Sequence, residues 1–176
     1  SRAQFFDLEE FAMSGSHKPM QLAPPGVFAD GLGSHGIDNN TSIVVYDYNG
    51  MLGAARFYWT CLAMGVKPQN IRILEGGWLN WVYHDENPTD GGPIYVPTST
   101  TFTPQVNADI YISHKEMIKI GHRHNEALLK GVLDPELPII VDTRSSHRFV
   151  GTQPEVSHFI DVGHVPGAVN APYQYL

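Results

Sequence analysis

The apolar residues of this chain fall into short runs divided by turn residues, and each run predicts one element. Ile43-Val44-Val45-Tyr46 is a β-branched run without alternation, the pattern of a strand buried on both faces. Asp47-Tyr48-Asn49-Gly50 supplies turn chemistry. The next apolar stripe predicts a helix over residues 54–64, ended by Gly65. Ile71-Arg72-Ile73-Leu74 predicts a second strand, Gly76-Gly77 a tight turn, and residues 78–83 a short helix. Strand, helix, strand, helix in that order indicates a parallel α/β sheet. Upstream, Pro24-Pro25 opens a short helix through Phe28, Leu32 and His35 that stops near Gly36. Phe5-Phe6-Asp7 reads as strand or core.

The pattern changes over residues 86–104, where Pro, Gly, Thr and Asp dominate and a linker is expected. Ser113-His114-Lys115-Glu116 is a capping box in front of Met117, Ile120 and Leu128, so a helix over 114–129 follows. Pro138 precedes Ile139-Ile140-Val141, a third buried strand, and a short strand comes after Gly163-His164-Val165-Pro166-Gly167-Ala168. Two strand–Asp units stand out: Val45-Tyr46-Asp47 and Ile140-Val141-Asp142.

Composition narrows the function classes. The chain has 176 residues, 42% apolar and 16% charged, which is ordinary for a globular sequence of one domain or parts of two. Its net charge of -7 argues against nucleic acid as a main partner, while leaving room for one basic pocket. No apolar run reaches the roughly 20 residues of a membrane span, and the first residues do not read as a signal peptide. The single cysteine excludes an internal disulfide and a thiolate-rich metal site. An intracellular location, cytoplasmic or mitochondrial, is expected. Of the nine histidines, His122 and His124 lie two apart on the expected helix and point to different sides. His114, His147 and His158 show no ligand spacing, so neither a metal nor an organic cofactor is implied. Trp59, Trp78 and Trp81 read as packing aromatics.

The C-terminal stretch carries the most specific motif. Val141-Asp142-Thr143-Arg144, Arg148-Phe149, Gly151-Thr152-Gln153-Pro154-Glu155 and Gly163-His164-Val165-Pro166-Gly167-Ala168 closely resemble the opening of a rhodanese (sulfurtransferase) module. Asp142 and Arg144 look like an ion pair beside the sheet, and His164 is expected to hydrogen-bond across its turn. Phe5-Phe6-Asp7, Val44-Val45-Tyr46-Asp47, Gly53-Ala54-Ala55-Arg56 and Leu74-Glu75-Gly76-Gly77-Trp78 resemble the later parts of a preceding module. The implied fold is α/β, a rhodanese-like parallel sheet flanked by helices, in parts of two modules. Residues 1–85 are the later part of a first, inactive module and 86–112 a linker. Residues 113–176 are a lead-in helix and the front of a second module.

The resemblance also implies a chemistry. In two-module sulfurtransferases a thiolate sits just after the strand, in a cradle of backbone N–H groups at a helix start that lowers its pKa. The matching position here is Asp47, which cannot form a persulfide. Cys61 lies on the apolar face of the following helix with Ala54, Phe57, Tyr58 and Leu62, where a thiol is inert. No catalytic residue is therefore expected in this chain. The nucleophile is expected beyond Leu176, the chain being a fragment, one piece of a cleaved protein or a permuted domain. Arg148 matches the arginine that holds the donor carboxylate or sulfonate, for which a permanently charged planar fork is suited. The second arginine of that clamp is replaced by Ser157. Glu9 falls where the family has a supporting aspartate, and its histidine partner is replaced near Met20, with His17 close by.

The expected activity of the complete protein is sulfur transfer. Sulfane sulfur passes from thiosulfate or 3-mercaptopyruvate through a cysteine persulfide to a thiol, a thioredoxin-like protein or cyanide. The expected partners are thus a small anionic sulfur donor and a thiol acceptor, without nucleic acid or membrane. A second chain carrying the remainder of the second module is a further partner that the resemblance allows. The alternative is a catalytically silent rhodanese-like binding or regulatory module. The related phosphatases require a Cys-x5-Arg phosphate cradle that this chain lacks.

Overall fold

Two pairs of parallel strands, each joined by a crossover, organise the chain. The computed structural model describes residues 3–11, 21–48, 50–83, 87–132, 134–155 and 161–175. The chain divides into two units, residues 1–111 and 112–176.

In the first unit, α1 (Pro25–Ser34) begins with a proline at its first turn, where the missing N–H costs nothing. Strand β1 (Ile43–Val45) pairs in parallel with β2 (Ile71–Ile73), Ile43 opposite Ile71, and α2 (Leu52–Ala63) forms the crossover between them. Gly77–Tyr83 is α3. Phe28, Leu32, Phe57, Cys61, Met64, Val66, Ile71 and Phe102 form the core, with Ile43 and Val45 packed against it. Phe6 joins through edge-on contact with Phe57, ring centroids 4.9 Å apart. It does so from extended chain and not from a strand, and Phe5 faces solvent.

The segment from Pro97 to Asn107, read from composition as linker, is held against this unit. Phe102 is buried in the core, and Gln105 and Asn107 donate their backbone N–H to the carbonyls of Met64 and Ala63. Thr100 bonds the Gly33 carbonyl at 2.9 Å, and Asn39 exchanges two bonds with the Thr103 backbone. The Thr100, Gln105 and Asn107 bonds thus engage carbonyls at the ends of α1 and α2.

In the second unit, α4 (His114–Lys130) begins with the expected capping box. The Ser113 side chain accepts from Glu116 N–H, and Glu116 accepts from Ser113 N–H. Gly131, left-handed at φ 65°, ends it. Strand β3 (Ile140–Asp142) pairs in parallel with β4 (Ala168–Asn170), and the four-residue α5 (Ser146–Phe149) lies between them.

The strands are not buried on both faces. Val44 is 65% exposed and Val141 52%, while Ile43 and Val45 turn inward. Among the described residues each strand has one partner in a two-stranded sheet, which leaves a pleated face and an edge without a described partner. An unbroken apolar run cannot distinguish this from full burial.

Candidate functional site

The carboxyl end of β3 gathers four charged side chains. Asp142 at the strand end accepts from the backbone N–H of Arg144 at 2.9 Å and from its Nε at 3.0 Å, a two-residue return that keeps the pair tight. Arg144 then reaches outward, donating Nη1 to Glu155 at 2.6 Å and Nη2 to the Gly163 carbonyl at 2.7 Å. The second Glu155 oxygen accepts from Nε of Arg148 at 3.0 Å and also from its Nη2. Glu155 is thus clamped between two guanidiniums with its side chain only 3% exposed. Two cations and two anions make the cluster formally neutral, which offsets the cost of burying Glu155.

These arginines line an open hollow of about 340 Å³ with Thr143, Ser145, Gln153, Tyr173 and Gln174. Their capacities differ. Of its five N–H donors, Arg144 commits four to Asp142, Glu155 and Gly163. Arg148 commits two to Glu155, leaving three without a partner among the described residues, and its side chain is 31% exposed. Arg148 is therefore the cation equipped to take an anion entering the hollow. Arg144 is the strut behind it.

The charge network fixes a pH dependence. The Arg144 guanidinium holds Asp142 below the usual carboxylate range, and Arg148 with Arg144 does the same for Glu155. Because both folded values are depressed, the stabilisation is full above the unfolded carboxylate values, near pH 4, and is lost as pH falls through the folded ones. The urea midpoint of the second unit is expected to be flat above about pH 5 and to fall steeply below about pH 4. A midpoint unchanged at about pH 3 would contradict this coupling.

The loop after β1 holds the other candidate position. Asp47 accepts the backbone N–H of Met51 and of Ala54, both at 2.9 Å, so its carboxylate fills the amide cradle at the start of α2. Its carbonyl accepts from Trp78 N–H at 2.9 Å. Met51, at φ 67°, is the only non-glycine residue with positive φ among the described residues, and this turn aims the amides at Asp47. Cys61 lies inside α2, fully buried, and burial pushes its thiol pKa strongly upward. That is the condition of an inert thiol.

The chain is similar to known proteins over nearly all of its length. Residues 13–84 match the model of the rhodanese-like domain. Over those residues the chain is similar to a rhodanese-like domain. It is similar over 97% of its length to the thiosulfate sulfurtransferase of Bos taurus, 30% identical over 174 residues. The 3-mercaptopyruvate sulfurtransferase of Mus musculus is 30% identical over 173. The chain spans 53% of each, about half the length of the curated relatives it matches. Among solved structures, SseA from Escherichia coli, described as a 3-mercaptopyruvate sulfotransferase of rhodanese fold, covers 98% of the chain with a TM-score of 0.77 at 25% identity, the match taking in 58% of SseA. The Tum1 protein of Saccharomyces cerevisiae covers 98% with a TM-score of 0.78 at 28% identity, over 54% of its own length.

The other expected positions fare differently. Glu9 sits in an exposed turn where its backbone N–H bonds Asp7. His17, Met20 and Ser157 lie outside the described residues. His164 does not bond across its own turn; its Nδ1 meets the Phe149 carbonyl at 2.8 Å and its ring stacks on Phe149, centroids 3.8 Å apart. The long reach follows from Gly163, at φ 105°, which swings the histidine back over α5. The residue that sequence reading missed is Glu155. Its signal was an acidic residue seven positions after Arg148 and eleven after Arg144, in a loop that offers no other carboxylate until Asp161.

Proposed function

We propose that the protein containing this chain is a sulfurtransferase in which Arg148 holds the sulfur donor, thiosulfate or 3-mercaptopyruvate, by its anionic end. The observation that carries this reading is Arg148 itself: a fixed guanidinium with three uncommitted N–H donors on the rim of an open polar hollow. A small divalent anion such as thiosulfate suits that rim, because a planar fork binds tetrahedral or carboxylate oxygens in pairs. The names of the curated relatives support the same donors.

In the complete protein a cysteine thiolate attacks the outer sulfur of thiosulfate. A cysteine–sulfur bond forms, the donor's S–S bond breaks, and sulfite leaves with the electron pair. The persulfide then gives its sulfur to a thiol, a thioredoxin-like protein or cyanide in a second half-reaction. The described residues hold no thiol suited to the first step, Cys61 being buried, so this chain alone is proposed to bind the donor without turning it over. A second reading, a silent binding module, is favoured by the Asp47 carboxylate filling the cradle after β1.

Calorimetric titration of the chain with thiosulfate at low ionic strength tests the donor site. Arg148→Gln is expected to weaken binding at least about tenfold, since it removes a charge-assisted fork. Equal affinity in the two proteins would refute the assignment of Arg148. Release of sulfite by the complete protein, given thiosulfate and cyanide, separates enzyme from silent module.

A further inference from the structure

Arg148 lies on the four-residue α5 and its side chain is 31% exposed. A free arginine loses rotamer freedom when it closes on a ligand. Here that ordering is already accomplished. Glu155 accepts from Nε and Nη2 of Arg148 through one oxygen, the edge of the guanidinium nearest the chain, and so leaves both Nη1 hydrogens and the outer Nη2 hydrogen pointing away. Glu155 cannot swing to follow, because its other oxygen is tied to Arg144, which is tied in turn to the strand end at Asp142. Two carboxylates and two guanidiniums form a continuous strut from the end of β3 to the hollow.

We infer that Glu155 is a positioning residue for the donor anion: it holds Arg148 in its anion-accepting orientation and sets donor affinity without touching the donor. The inference rests on the donor role proposed for Arg148. The alternative physics has the opposite sign. If Glu155 acted mainly as a competing negative charge, removing that charge would strengthen anion binding. The geometry favours positioning, because Glu155 engages the side of the fork away from the free donors and its charge is shared with Arg144.

The test uses the same chain and thiosulfate as probe, with Glu155→Gln compared to the original. Glutamine keeps the length but offers one uncharged acceptor to two guanidiniums. The expected result is about tenfold weaker thiosulfate binding, together with faster water exchange of the Arg148 Nε–H followed by nitrogen NMR. His124→Ala controls for a general loss of stability, since it removes the 3.0 Å bond to the Pro138 carbonyl in the same unit without reaching the hollow. Weaker binding in Glu155→Gln with His124→Ala unchanged supports the inference. Unchanged or tighter binding in Glu155→Gln overturns it, as does an equal loss in both variants. If Arg148→Gln binds like the original chain, the donor site itself falls, a separate failure from that of Glu155.

Discussion

Replacing Phe28 with alanine is expected to destabilise the first unit by about 3–5 kcal/mol. Phe28 is 1% exposed and stands where three parts of the chain meet. Its ring lies 5.8 Å from Phe6, edge-on, and 6.1 Å from Phe57 of α2, while Leu32, one turn further along α1, shares its core. Deleting the ring removes its burial and both aromatic contacts, and neighbours fixed on two helices close the gap only in part. Cys61 provides the readout. Its thiol is sealed in the same core, so a thiol reagent reaches it only when the unit opens. Reaction of Cys61 should accelerate by at least about a hundredfold, the factor corresponding to 3 kcal/mol, provided opening stays faster than labelling. Labelling at the original rate would show that Phe28 is not an anchor of that core.

Gly65→Val is expected to cost about 3 kcal/mol or more, by another route. Gly65 follows α2 with φ 92°, a left-handed conformation that a β-branched residue resists. A Cβ there would also lie 2.5 Å from the Gln105 carbonyl oxygen, which is backbone and cannot rotate away. The chain must then lift the 97–107 segment, losing the Gln105 and Asn107 bonds to α2. Limited proteolysis should therefore cut this segment in the variant before it cuts α2. Resistance equal to that of the original would mean the segment is not held there.

These two positions also show what was legible in the sequence. The order of strands and helices was, because β-branched runs, prolines and the Ser113–Glu116 box each act within a few residues. The start of α2 was not: it comes two residues earlier than the apolar stripe suggests, and its first-turn N–H groups are met by Asp47, five residues upstream of Leu52 and beyond local capping patterns. Composition concealed the role of residues 97–107, since Pro and Thr residues signal a linker while a single Phe102 does the packing. In the site, the Asp142–Arg144 pair was readable from its two-residue spacing. Glu155 was hidden because its importance depends on a loop that folds back across eleven positions to Arg144.

Both parallel strand pairs join residues 28 positions apart, Ile43 with Ile71 and Ile140 with Ala168. Loop-closure entropy is therefore nearly the same for the two pairs. The intervening chain is not equivalent. The first pair spans a 12-residue helix, whose local bonds form in about a microsecond and shorten the loop before the strands meet. Among the described residues, the second spans four helical residues, so local bonds shorten less of its loop before the strands meet. The arginine–carboxylate strut must supply what a helix supplies in the other half. The hollow lined by Arg144 and Arg148 is thus expected to assemble later in folding than the aromatic core.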